Sequence, residues 1–159
     1  MSGLRDLYQE LILDHGKSPR NHRPMDDCTH QANGFNPVCG DKVNLYLSCE
    51  DGRVTDVSFE GSGCAISTAS ASMLTQIIKG KSIEDIFELR RMVGAMLTAI
   101  PGEHDQEEIE KLGKLAAFSG VCEFPGRVKC ATLVWHTLDA ALKDGEKTIS
   151  TEWKIDFRR

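Results

Sequence analysis

Apolar residues recur at helical spacing near the start of the chain. Leu4, Leu7, Tyr8, Leu11 and Ile12 follow i, i+3 and i+4 and predict an amphipathic helix that stops near Gly16 and Pro19. From Ser18 to Gly34 no period survives, and the density of Pro, Asn, Asp and His predicts a connector. Alternation by two then takes over. Val43, Leu45, Leu47 and Cys49 alternate with polar or amphipathic positions, and Asp51-Gly52 marks a hairpin before the segment 53–61. In that second strand Val54, Val57 and Phe59 do not share a face under strict alternation, which implies a bulge or a twist.

Past Gly63 the helical period returns and stays. The stretch from Cys64 to Lys79 reads as a helix closed by Gly80, and Ser82 to Asp85 reads as a capping box opening a helix through about Leu97. Asp105 and Glu108 mark a shorter helix between the Pro101-Gly102 break and Ser119-Gly120. A last helix is expected from about Cys130 to Lys143, stopped by Asp144-Gly145, with TISTEWKIDF left as a strand or a tail. Strands first and helices afterwards, without βαβ alternation, predict an α+β fold: a small antiparallel sheet packed on one face by helices. The 159 residues read as a single domain, 1–159, with 40% hydrophobic residues to build one core.

Charge narrows the partners. A formal net charge of -5 offers no broad cationic field for phosphate backbones, so nucleic acid is not expected. The acidic, amphipathic N-terminus lacks a signal-peptide pattern, and no apolar run reaches the roughly 18 residues of a membrane span. The expectation is a cytoplasmic protein with no membrane partner.

Six cysteines, at 28, 39, 49, 64, 122 and 130, would in a reducing compartment more often bind metal or react than form disulfides. Cys39 lies in NPVCGD before the first predicted strand, Cys64 in GSGCAIS and Cys130 in RVKCATL. The last two are expected to begin helices, where free N–H groups and the helix dipole favour a thiolate. Gly40 permits a sharp turn that would let Cys39 and Asp41 face one ion, making Asp41 a candidate fourth ligand beside Cys39, Cys64 and Cys130. Spacing alone does not choose between a metal site and buried structural thiols, since no C-x-x-C pair occurs. Cys122, eight positions before Cys130, is a rival ligand; Cys49 fits a strand core, and Cys28 reads as an exposed thiol in the connector. The five histidines include no metal-ligand pair.

The segments NPVCGD, GSGCAISTASASM and FPGRVKC resemble, in order, the three cysteine motifs of the SufU/IscU (NifU N-terminal-like) family, and LYQELILDHGKSPRN resembles its N-terminal segment. The resemblance covers about residues 4–143 and leaves 144–159 unassigned. Two branches share the fold. IscU-like members resemble scaffolds that assemble iron-sulfur clusters and pass them to apo-proteins, and SufU-like members resemble zinc-dependent sulfur acceptors serving a SufS-type cysteine desulfurase. Scaffolds usually carry His before the third cysteine and a Leu-Pro-Pro-Val-Lys chaperone motif; this chain has Lys129 and reads EFPGRVKC. A segment around 85–112 also resembles the SufU insertion. These departures favour the zinc branch.

That resemblance implies zinc on Cys39, Asp41, Cys64 and Cys130, with an iron-sulfur cluster as the alternative cofactor. It further implies Cys39 as the catalytic sulfur acceptor, displaced from the metal by a partner side chain, and Arg127 beside the site as a donor to Asp41 or a compensating charge. Sulfur would come from the desulfurase and pass to downstream iron-sulfur assembly proteins.

Overall fold

The structure, a computed structural model, describes residues 2–144 and 147–150. Its first element is α1 (Ser2–Lys17), followed by β1 (His30–Asn36), β2 (Asp41–Glu50) and β3 (Arg53–Ser62). Then come α2 (Ala65–Ile78), α3 (Ile83–Leu97), α4 (Gln106–Lys111), a 3-10 segment (Gly113–Glu123), α5 (Pro125–Asp144) and β4 (Lys147–Ser150). The α+β expectation is met. The sheet runs β3-β2-β1-β4, antiparallel over its first three strands, with β4 added parallel to β1.

Strand β1 begins inside what reads in sequence as connector. Its inward positions are Ala32, Gly34 and Asn36, all buried, while its large apolar residue, Phe35, points out. No hydrophobic alternation therefore exists to be seen. The reason is the close approach of α5: a Cβ on Gly34 would collide with Thr137 Oγ1 and stand 3.1 Å from Leu133 Cδ1. The rest of the connector runs along the outer edge of β3, where Phe59 N donates to Asn21 O at 3.0 Å, so that edge is partly covered.

The expected irregularity in β3 is a bulge. Cys49 pairs with Val54 and Ser48 with Asp56, so Thr55 is the extra residue. Residues directly opposite share a face, and the bulge brings Val54, Val57 and Phe59 onto the side of Cys49, Leu47 and Leu45. On that face α5 covers β1 and β2 and α2 covers β3. Apart from the half-buried Cys49, all these strand residues are at most 3% exposed.

Small residues in α2 let its neighbours come close. Ser70 Oγ donates to Ala131 O at 2.7 Å and accepts from Trp135 Nε1 at 3.2 Å, joining α2 to α5 inside the core. Ser72 Oγ meets His15 Nδ1 at 2.7 Å and joins α2 to α1. Buried polar groups satisfied in this way each contribute about 1 kcal/mol net, and cost more when orphaned. Caps at Ser82 and Asp105 open α3 and α4 where the sequence places them. No helix among the described residues is long and apolar enough to cross a membrane. Of the C-terminal segment, 147–150 is strand, and Trp153 and Phe157 lie outside the described residues.

Candidate metal centre

The sheet opens at one end into the turn between β1 and β2. Asn36 closes β1 directly opposite Asp41, the first residue of β2. Asn36 holds the turn from inside: its Oδ1 accepts from Val38 N at 3.1 Å and its backbone O accepts from Gly40 N at 2.8 Å. Gly40 takes φ +79, the left-handed turn expected of it. Cys39 is thereby held exposed at the tip while Asp41 tucks beneath, 1% exposed.

Cys64 comes from the opposite side, as the N-cap of α2, where sequence places it at a helix start. Its Sγ accepts from Ser67 N at 3.4 Å, and its own N–H donates to Asp41 Oδ1 at 2.9 Å. That second bond needs the chain to pass very close to the carboxylate. A Cβ on Gly63 would stand 2.6 Å from Asp41 Oδ1, so the glycine before the cysteine is a packing requirement of the site.

Cys130 corrects an expectation. The last helix begins at Pro125, five residues earlier than its sequence start was placed, because Pro suits the first helical position and Gly126 follows within the turn. Cys130 thus sits beyond the first turn, where the helix dipole has largely faded, with Sγ 3.7 Å from Gly126 O. It is 5% exposed, and burial, followed by its contacts with Asp41, Cys39 and Cys64, pushes its thiol well above the usual range. In the metal-free protein this sulfur keeps its proton; a cation would be needed to stabilise the thiolate.

These elements bring four donors together. Cys39 Sγ is 3.1 Å from Asp41 Oδ2 and 3.6 Å from Cys130 Sγ, and Cys64 Sγ is 3.7 Å from the same Oδ2. Cys39, Asp41 and Cys130 form a cluster whose ligand atoms lie within 4.8 Å of one another. A tetrahedral zinc with sulfur at about 2.3 Å separates two thiolates by about 3.8 Å, close to the Cys39–Cys130 spacing. Asp41 Oδ1 is committed to the Cys64 amide, which leaves Oδ2 facing the sulfurs as a single oxygen donor. Two sulfurs and one oxygen at these spacings fit three positions of a thiolate-rich cation site; Cys64, 3.7 Å from Asp41 Oδ2, stands outside that cluster as the candidate fourth donor.

Other residues fall elsewhere. Arg127, in the first turn of α5, is exposed and makes no hydrogen bond or ion pair to Asp41 among the described residues. Cys122 is remote from the cluster, 3.7 Å from His104 Nε2 and 3.4 Å from Ser119 O, which removes it as a rival ligand. Cys49 packs beside the core, and Cys28 is half-buried instead of exposed. The sequence assigns no role to Asn36 or Gly63, which shape the site, although both lie inside the cysteine motifs NPVCGD and GSGCAIS.

The chain matches known proteins over most of its length. Residues 7–131 match the NifU-like N terminal domain. It is 40% identical over 145 residues to the zinc-dependent sulfurtransferase SufU of Bacillus subtilis, covering 91% of this chain and 95% of the relative. It is 42% identical over 137 residues to the iron-sulfur cluster assembly scaffold protein IscU of Thermotoga maritima, covering 86% and 93%. A solved structure from Fervidobacterium islandicum, of a candidate iron-sulfur cluster assembly scaffold for the SUF system, superposes with a TM-score of 0.76 at 35% identity, covering 87% and 98%. With the three cysteine motifs converging on one carboxylate at the open end of a shared fold, this chain belongs to the NifU-like N-terminal domain family.

Proposed function

We propose that this protein is a zinc-dependent sulfur acceptor that takes persulfide sulfur from a cysteine desulfurase and hands it to iron-sulfur cluster assembly. The observation that carries the reading is an exposed Cys39 Sγ lying 3.1 Å from the buried Asp41 carboxylate and 3.6 Å from the buried Cys130 sulfur. Cys39, Asp41, Cys64 and Cys130 would hold the zinc. The metal supplies a positive charge that stabilises thiolates and brings no redox chemistry of its own.

Each residue then has a distinct task. Asp41 and Cys130 form the buried floor, and Cys64 is fixed by its cap bond to Ser67. Cys39 is held at the turn tip, where a donor protein can reach it. Its thiolate attacks the terminal sulfur of the donor's persulfide; a Cys39–sulfur bond forms, the donor's sulfur–sulfur bond breaks, and the donor cysteine leaves as thiolate. The terminal proton stays on the transferred sulfur, so no external oxidant or reductant enters. Lys129, where scaffold-like members usually carry His, supports this reading over cluster assembly.

The test is alanine release from cysteine by a SufS-type desulfurase in the presence of the zinc-loaded protein. Stimulation that is lost in Cys39→Ala is expected, from a colourless protein holding one zinc. A Cys39→Ala variant that stimulates normally would remove Cys39 as acceptor. The scaffold reading, favoured by the naming of the Thermotoga maritima relative, instead requires a coloured cluster that forms with iron and sulfide and transfers to an acceptor.

A further inference from the structure

A groove of about 820 Å³ runs between the N-terminal half of α1 and the 3-10 segment. Leu4 and Phe124 stand on its walls 58% and 61% exposed, with Tyr8 and Ile66 deeper in. Together these side chains leave apolar surface open along the groove. Arg5 and Arg127 line the same groove, and neither side chain has a hydrogen-bond or ion-pair partner among the described residues. Glu123 is the single carboxylate on the lining, so the groove is locally cationic in a chain of net charge -5.

Two lining residues of the groove belong to the helices that carry the thiols. Ile66 lies two residues beyond Cys64 and Arg127 three before Cys130, so the first turns of α2 and α5 line the groove close in sequence to the thiol cluster. A protein that delivers sulfur to Cys39 would dock beside these turns, where its neighbouring chain would reach the groove. The groove's charge and apolar walls specify what that chain carries.

We propose that this groove seats a segment of the sulfur-donating protein that combines apolar side chains with carboxylates, registering the donor's reactive cysteine over Cys39. The proposal rests on the sulfur-acceptor reading above. Carboxylates would meet Arg5 and Arg127, and the apolar side chains would cover Leu4, Tyr8 and Phe124. Arg5 acts here through docking; it is far in sequence from every proposed ligand and belongs to an exposed turn of α1.

The experiment titrates a cysteine desulfurase with the zinc-loaded wild-type protein and with an Arg5→Glu, Leu4→Ser variant, reading alanine release, zinc content and far-ultraviolet circular dichroism. The variant is expected to need roughly tenfold more protein for half-maximal stimulation, with the plateau rate, zinc content and helicity unchanged. Added salt should raise the half-maximal concentration of the wild type and move that of the variant much less. A variant that titrates like wild type overturns the docking proposal, as does a lowered plateau at unchanged half-saturation. Absence of stimulation by the wild type overturns the sulfur-acceptor reading and the docking proposal with it.

Discussion

Asp41 is the residue on which the site turns, since one carboxylate oxygen holds the Cys64 amide and the other faces Cys39 and Cys64. The backbone at Gly63 passes so close to Asp41 that a methyl group has no room. Gly63→Ala is therefore expected to push the carboxylate aside, lowering bound zinc at least tenfold while costing about 1–3 kcal/mol of stability. Zinc content after dialysis, with circular dichroism of the same sample, checks this. A second residue-scale effect lies away from the site. His136 is 8% exposed, and burial followed by the neighbouring Arg90 charge holds its pKa down to about 4. The unfolded chain takes up a proton near pH 6.5 that the folded chain refuses, so stability is full above that pH and is lost as pH falls toward 4, by about 3 kcal/mol. Urea unfolding between pH 7.5 and 4.5 should show this fall, and His136→Gln should flatten it.

At the level of elements, helices were legible where side chains signal their ends, as Ser82 and Asp105 do. The bulge in β3 was legible too, because three apolar residues cannot alternate without one extra position. Strand β1 was not, since α5 sits so near that its inward residues must be small, and small residues carry no hydrophobic period. The approach of Cys39 to Cys130 was readable only through the family's motifs, because the two are 91 positions apart and only tertiary packing brings them to 3.6 Å. The start of α5 was misplaced because Pro125-Gly126 looks like a break, whereas Pro is favoured at a helix's first position. One element depends on a charge pair. Arg90 of α3, 6% exposed at its side chain, lies 3.3 Å from Asp139 of α5, which also meets Lys143 at 3.2 Å. Removing the carboxylate takes one ion-pair partner from a buried guanidinium, so Asp139→Ala should destabilise by about 1–3 kcal/mol in chemical denaturation. Because the pair lies away from the thiol cluster, zinc content should not change.

Considered whole, the molecule keeps its hydrophobic core apart from its thiol cluster. The core fills the space between the sheet and α2, α3 and α5, whereas the cluster occupies the open end, with Cys39 and Cys64 exposed. Metal should therefore add to a fold that already stands, unlike small zinc domains that unfold without it. Chelation is expected to lower the melting temperature by about 10 °C and to leave the helical circular dichroism at 25 °C intact. Collapse of that signal on chelation would make the zinc structural.

The 91-residue separation of Cys39 and Cys130 also sets an order in time. Cys39, Asp41 and Cys64 can meet once the three-stranded meander and the start of α2 have formed, but Cys130 joins them only when α5 docks, late in the chain's search. A bound ion would thus reinforce contacts that are absent while the barrier is being crossed. Zinc added to the refolding chain should leave its folding rate nearly unchanged and slow its unfolding by an order of magnitude or more, which stopped-flow fluorescence of Trp135 can resolve. A metal held there would act as a latch closed after assembly, and its benefit to the protein would be lifetime.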